Sequence, residues 1–277
     1  MKTEVFLRKA DKGDFELEII DIGLTELLIS LVFVLAAGIS SLLLQLNLHK
    51  DVLWGTVRTV AQLFLVGYIL KYVFRFTTPW PVLLVFAVMI YFAASIIKGR
   101  VKTKEIAFMA PTVVSMFISY MLVTALVTGV IIKAEPWYEP SYFIPLGGMI
   151  IGNSMNAIAI TLERLFGDLK KQREVVEMYL SLGADYKEAS AEIFRNAVSA
   201  GMIPSINSMM GVGIVFLPGM MTGQIIAGAD PLVSVKYQIV VMLMIVGSTA
   251  IGSILVAFLI RRRCFSADHR LLIKSNP

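Results

Sequence analysis

The sequence predicts an all-α, polytopic membrane protein, and three observations predict it. Hydrophobic residues make up 57% of the 277 and charged residues only 16%, whereas a soluble domain carries about 25% charge. Seven apolar runs, each near the ~20 residues that cross the hydrocarbon layer, begin around Ile22, Trp54, Trp80, Ala107, Tyr142, Ala197 and Val235. The stretches between runs are short, the longest being 163–196, so no large head domain fits. Together these exclude a soluble enzyme, a disordered chain and a single-span anchor.

Residues 1–21 mix four basic with six acidic side chains. They lack the compact apolar stretch and small-residue cleavage site of a secretory signal. They read as a polar flank with a short surface helix around 15–20, ahead of a seven-span domain over 22–260 and a basic tail over 261–277. Charge sets the orientation. Lys50, Lys98, Arg100, Lys102, Lys104, Arg164, Lys170, Lys171, Arg173, Lys187 and Arg195 fall on one side with Arg261, Arg262, Arg263, Arg270 and Lys274. The positive-inside rule makes that side cytoplasmic, with the N-terminus outside and Lys71 with Arg75 as the exception. Trp54, Trp80, Trp137 and Tyr142 sit at run ends, where amphipathic rings anchor to headgroups. A net charge of +5 placed in inter-span loops speaks for membrane topology and against nucleic acid. The single cysteine, Cys264, makes no internal disulfide.

The second run carries Arg58 and Gln62 on one helix face. Charge at membrane depth is costly, so Arg58 either snorkels to the headgroups or faces a substrate path. The fifth run has Gly148 and Gly152 at the spacing of close helix packing, followed by Asn153, Met155 and Asn156. The two amides at depth need a partner or a cavity. The sixth run is the least regular, with Pro204 and Pro218 and several glycines, and its Asn207 and Ser208 offer polar lining. Irregular backbone at membrane depth occurs where it is buried or lines water. Arg58, Gln62, Asn153, Met155, Asn156, Asn207, Ser208, Pro218, Met220 and Met221 are therefore the expected translocation path. The paired methionines read as flexible fillers or as soft metal ligands, which leaves a metal site unknown.

Between the fifth and sixth runs, apolar residues at Leu165, Phe166, Leu169, Val176 and Leu180 recur at helical spacing. Gly183 then supplies a stop, and Asp185 with Glu188 forms an N-cap pair that restarts a helix. The segment 163–196 is a cytoplasmic knuckle joined to the most irregular run; the alternative is an ordinary turn between helices. No phosphate-binding loop GxxxxGK[ST], HExxH or GxSxG occurs, so a transport subunit rather than an enzyme is expected.

At the knuckle the stretch EMYLSLGADYKEAS, 177–190, resembles the coupling loop of ABC transporter permeases, with Glu177 six residues before Gly183. KDVLWGTVRTVAQLFLVGYILKYVF at 50–74, IPLGGMIIGNSMNAI at 144–158 and IPSINSMMGVGIVFLPGMMTGQIIAG from 203 resemble the UPF0014 family of FetB-type permeases. Its bacterial members are linked to iron export and its plant members to aluminium tolerance. The resemblance implies a permease subunit in the inner (cytoplasmic) membrane, working as a homodimer with a separate cytoplasmic ATPase. In that reading Glu177, Gly183, Ala184, Asp185, Lys187, Glu188 and Ala189 contact the ATPase. This chain binds no cofactor of its own, and ATP and Mg belong to the partner. A non-metal cargo such as a nucleotide sugar, and an ATPase-independent channel or secondary carrier, are the alternatives.

Overall fold

The computed structural model describes residues 22–273 apart from 77, 102, 104, 267 and 269. The expected surface helix at 15–20, with Lys102, Lys104 and Lys274, lies outside the described residues. Among the described residues ten α-helices follow one another: α1 Leu24–Leu43, α2 His49–Val73, α3 Pro79–Arg100, α4 Met109–Leu126, α5 Pro140–Lys171, α6 Arg173–Ser181, α7 Tyr186–Ala189, α8 Ala191–Gly211, α9 Gly219–Ile226 and α10 Pro231–Arg263. Proline opens α3, α5 and α10, where its missing N–H costs nothing and its fixed φ suits the first turn. Basic residues close the same three helices, matching the negative end of the helix dipole. A π-helical turn, Val127–Ile131, extends α4.

Among the described residues six helices are long and apolar enough to span a membrane: α1, α2, α3, α4 with its π turn, α5 and α10. The seventh expected span is not one continuous helix. Helix α8 runs through Pro204 and ends at Gly211; Gly213 then adopts φ +83, its N–H donates to the Phe216 carbonyl at 2.9 Å, and α9 begins only after Pro218. The left-handed glycine and the proline account for the break.

The chain divides into two units. The first contains α1 and α2 with Gly223–Asp230. Its two long helices form a hairpin through a short loop in which Gln45 and Asn47 have positive φ and the Leu48 N–H donates to Ser41 Oγ at 2.9 Å. Almost every side chain of the pair is exposed, and a largely apolar groove runs between Leu24–Leu31 of α1 and Val60–Lys71 of α2.

The second unit is a bundle centred on α5, which packs against α3, α4, α8 and α10. Phe86, Met116, Tyr120, Phe143, Ile158 and Leu162 are fully buried there. Two glycines set the closest approaches. A Cβ on Gly147 would strike the Phe86 ring, and one on Gly201 would strike Thr161 and come within 2.7 Å of the Ala157 carbonyl. The pair expected to do this, Gly148 and Gly152, does less: a Cβ on Gly152 meets nothing within 4 Å and one on Gly148 meets only the tip of Met89. Which glycine faces a neighbour depends on helix rotation, which spacing alone leaves free.

Candidate functional site

Three helices of the second unit line a half-open cavity of about 550 Å³ whose walls are largely apolar and carry five polar side chains, Asn153, Asn156, Ser205, Ser208 and Gln238. Helix α5 contributes Met149, Asn153 and Asn156, α8 contributes Pro204, Ser205 and Ser208, and α10 contributes Gln238 and Met242. The irregular stretch after α8 adds Phe216, Leu217 and Pro218, with Gly219 and Met220 at the start of α9. The broken backbone thus forms one wall of the cavity, the setting in which membrane proteins tolerate such backbone. A second cavity of about 370 Å³ shares Leu217, Pro218, Gln238 and Met242 and is further lined by Met209 and Met221.

Behind the first cavity lies a chain of buried hydroxyls. Ser154 Oγ is 3.2 Å from Ser248 Oγ and 3.1 Å from Thr249 Oγ1, and Ser205 Oγ donates to Thr249 Oγ1 at 3.3 Å. This network ties α5, α8 and α10 together where lipid offers no hydrogen bonds, a tie worth about 0.6 kcal/mol per contact in comparable bundles.

The expected path residues fall in separate places. Asn153, Asn156, Ser208, Pro218 and Met220 line the first cavity and Met221 the second. Met155 and Asn207 line neither, and Asn207 is exposed on α8. Arg58 and Gln62 belong to the other unit and are exposed on α2. Ser205 and Gln238 were not singled out from sequence. A glutamine one turn after Ser234, ahead of the long apolar run from Ile239, is the signal that marks Gln238.

The knuckle is built as the residues suggest. Helix α6 ends at Ser181, and Gly183, φ +93, closes the turn after it, with the Gly183 N–H donating to Leu180 O and the Ala184 N–H to Tyr179 O, both at 3.1 Å. Asp185 Oδ1 accepts from the Glu188 N–H at 2.7 Å, and Glu188 Oε2 accepts from the Asp185 N–H at 3.0 Å. This reciprocal capping box starts α7. Ser190 separates α7 from α8.

Two arginines outside the expected set hold this segment. Arg173 Nε donates to Glu177 Oε1 at 2.7 Å and its Nη1 to the Ile273 carbonyl at 3.2 Å, joining α6 to the C-terminal tail. Arg261, buried near the end of α10, sets its guanidinium 4.4 Å from the centre of the Phe194 ring and 6.0 Å from that of Tyr186. Tyr186 also packs against Phe265, centroids 5.7 Å apart. The short helix α7 is therefore fixed to α8 and to the end of α10. At the same end, Arg100 of α3 pairs with Glu163 of α5 at 3.0 Å. Cys264, the residue after α10, is buried, and burial pushes its thiol up to about 12. Among the described residues, no three of His, Cys, Asp and Glu cluster as a metal site.

Among the described residues, six membrane-capable helices and a cavity beside a broken helix define a multi-pass, all-helical membrane protein. The family model described as "Uncharacterised protein family (UPF0014)" matches residues 24–265, and the chain belongs to that family. It is 39% identical over 228 residues to UPF0014 membrane protein slr1647 of Synechocystis, covering 82% of this chain and 88% of that one. It is 34% identical over 248 residues to the probable iron export permease protein FetB of Escherichia coli, covering 89% and 94%. With Protein ALUMINUM SENSITIVE 3 of Arabidopsis thaliana it shares 30% identity over 256 residues, 90% of each chain. No solved structure matches.

Proposed function

We propose that this chain is the transmembrane permease subunit of an ABC-type transporter, residing in the cytoplasmic membrane and exporting iron or another metal. A permease homodimer works with two copies of a cytoplasmic ATPase, which supply the ATP and Mg chemistry. The observation that carries the reading is the knuckle. A capped helix of four residues, Tyr186–Ala189, follows a left-handed glycine and leads within two residues into α8, which ends in the cavity wall. A partner that presses on α7 moves α8 directly and α10 through Arg261, and both helices line the cavity. The similarity to an iron export permease supports the transport class, and the cargo reading rests on that similarity.

The test is reconstitution of the chain in liposomes, with and without a separately supplied candidate ABC ATPase partner. Flux of ferrous iron that requires both ATP and the partner is expected. Equal flux from the chain alone favours a channel or secondary carrier. ATPase stimulation by nucleotide sugars and not by metals favours the non-metal cargo.

A further inference from the structure

The hairpin of the first unit is closed at its loop and open at its far end. Beside the loop Ser41 is buried and accepts the Leu48 N–H at 2.9 Å. Away from it, Leu24, Leu27, Leu28 and Leu31 recur on α1 at the spacing of one helix face. They look toward α2, yet they remain between 36% exposed, at Leu31, and 77%, at Leu24. The groove left between the two helices measures about 650 Å³, and Gly67 of α2 contributes no side chain to fill it.

Polarity is confined to one end of this groove. Ser30 has given its hydroxyl proton to the Leu27 carbonyl at 2.7 Å, and Glu26, Arg58 and Gln62 do not line the space. Lys71, in the last turn of α2, does line it, with Tyr68 one turn deeper. Arg75 stands exposed just past the helix. Neither Lys71 nor Arg75 makes a side-chain hydrogen bond or ion pair with a described residue. These two are also the cations that break the positive-inside pattern. A lysine in a last turn offsets the helix dipole, but that role calls for no apolar cleft beneath it.

Depth identifies the guest. Val60 and Lys71, at the two ends of the groove on α2, are separated by ~16 Å of helix at 1.5 Å per residue. The hydrocarbon of one leaflet is ~15 Å deep, half of the bilayer core. An apolar floor one leaflet deep with cations at its rim matches an acyl chain below a phosphate. A free anion has no use for the leucines, and an uncharged hydrocarbon has none for the cations. An extended peptide would carry unsatisfied backbone groups into a groove without partners for them.

We propose that the groove between α1 and α2 binds an anionic phospholipid, with one acyl chain along Leu24–Leu31 and the phosphate held by Lys71 and Arg75. The loop charges assign this end of the hairpin to the outer leaflet. The site stands whichever cargo the protein carries.

The test is native mass spectrometry of the purified, delipidated full chain titrated with phosphatidylglycerol and with phosphatidylcholine of the same acyl chains. Retention of phosphatidylglycerol several-fold tighter than phosphatidylcholine is expected. Lys71→Gln, at an exposed position, should weaken phosphatidylglycerol about fivefold, the value of one basic residue at a membrane surface, and leave phosphatidylcholine unchanged. Gly67→Phe, where a Cβ meets nothing within 4 Å, fills the groove and should weaken both lipids; Lys71→Gln serves if that variant does not fold. Equal affinity for the two lipids, or phosphatidylglycerol binding unaltered by Lys71→Gln, shows ordinary lipid contact and overturns the proposal. Displacement of the lipid by millimolar glycerol 3-phosphate overturns it in favour of a bare anion site. A changed oligomeric state in Gly67→Phe with lipid binding intact overturns it in favour of a second copy of the chain.

Discussion

Helices α1 and α2 and helices α5 and α10 satisfy the same test of length and apolarity, yet their surroundings within their own units are opposite. In the spanning windows of α1 and α2, 6% and 0% of residues are buried; in those of α5 and α10, 56% and 50% are. The bundle helices meet each other through small residues and hydroxyls such as Gly201, Ser154 and Thr249. The hairpin helices meet each other along a groove of leucines and present the rest of their surface outward. Hydropathy identifies a helix that tolerates lipid, whereas burial identifies one that has a protein neighbour. The polar residues follow suit. In the bundle Ser154, Ser205, Ser248 and Thr249 pair with one another and Asn153, Asn156 and Gln238 line a cavity, while Arg58 and Gln62 on α2 make no side-chain hydrogen bond or ion pair with a described residue.

Glycine substitutions expose this contrast with the largest effect. Gly201→Val should abolish or severely lower thermal stability in detergent, by several kcal/mol, because even its Cβ meets the Ala157 carbonyl. Gly55→Val on α2, where a Cβ meets nothing within 4 Å, should change it little. Equal losses at the two positions would break the comparison.

Arg261→Ala comes next. It removes the cation held between the Phe194 and Tyr186 rings, and ATP-driven flux should fall at least tenfold while the ATPase still associates; Arg261→Lys, a poorer stacking cation, should recover only part. Loss of association as well would make the contact a docking feature. Removal of a hydroxyl from the network is smaller. Thr249→Val should lower stability by about 1 kcal/mol, read as a shift in unfolding temperature.

The least disruptive probe is chemical. The Cys264 thiol, buried and raised to about 12, holds almost no thiolate at neutral pH. A maleimide should leave it unlabelled in the folded protein and label it fully on denaturation. Rapid labelling at pH 7 would show that the end of α10 opens.

Much of this was legible from residue order. Gly183 and the Asp185–Glu188 pair are local signals, needing only the chain on either side, and they form where expected. The break after Gly211 is local too, set by Gly213 and Pro218. What sequence did not reveal depends on the angle at which each helix faces its neighbours. Gly147 and Gly201, not Gly148 and Gly152, lie at the close approaches. Gln238 looked like one polar residue in an apolar run, and Arg261 like one of three consecutive arginines, until the packing of α10 gave each its surroundings.

The central claim is that movement of the knuckle drives the cavity. Its most direct measurement is ferrous iron flux in liposomes containing the chain and the proposed ATPase partner, for wild type and for Gly183→Pro, in which the left-handed turn cannot form. ATP-dependent flux in the wild type and its loss in a variant that still inserts and folds is the predicted result. Full ATP-dependent flux through Gly183→Pro would contradict the account.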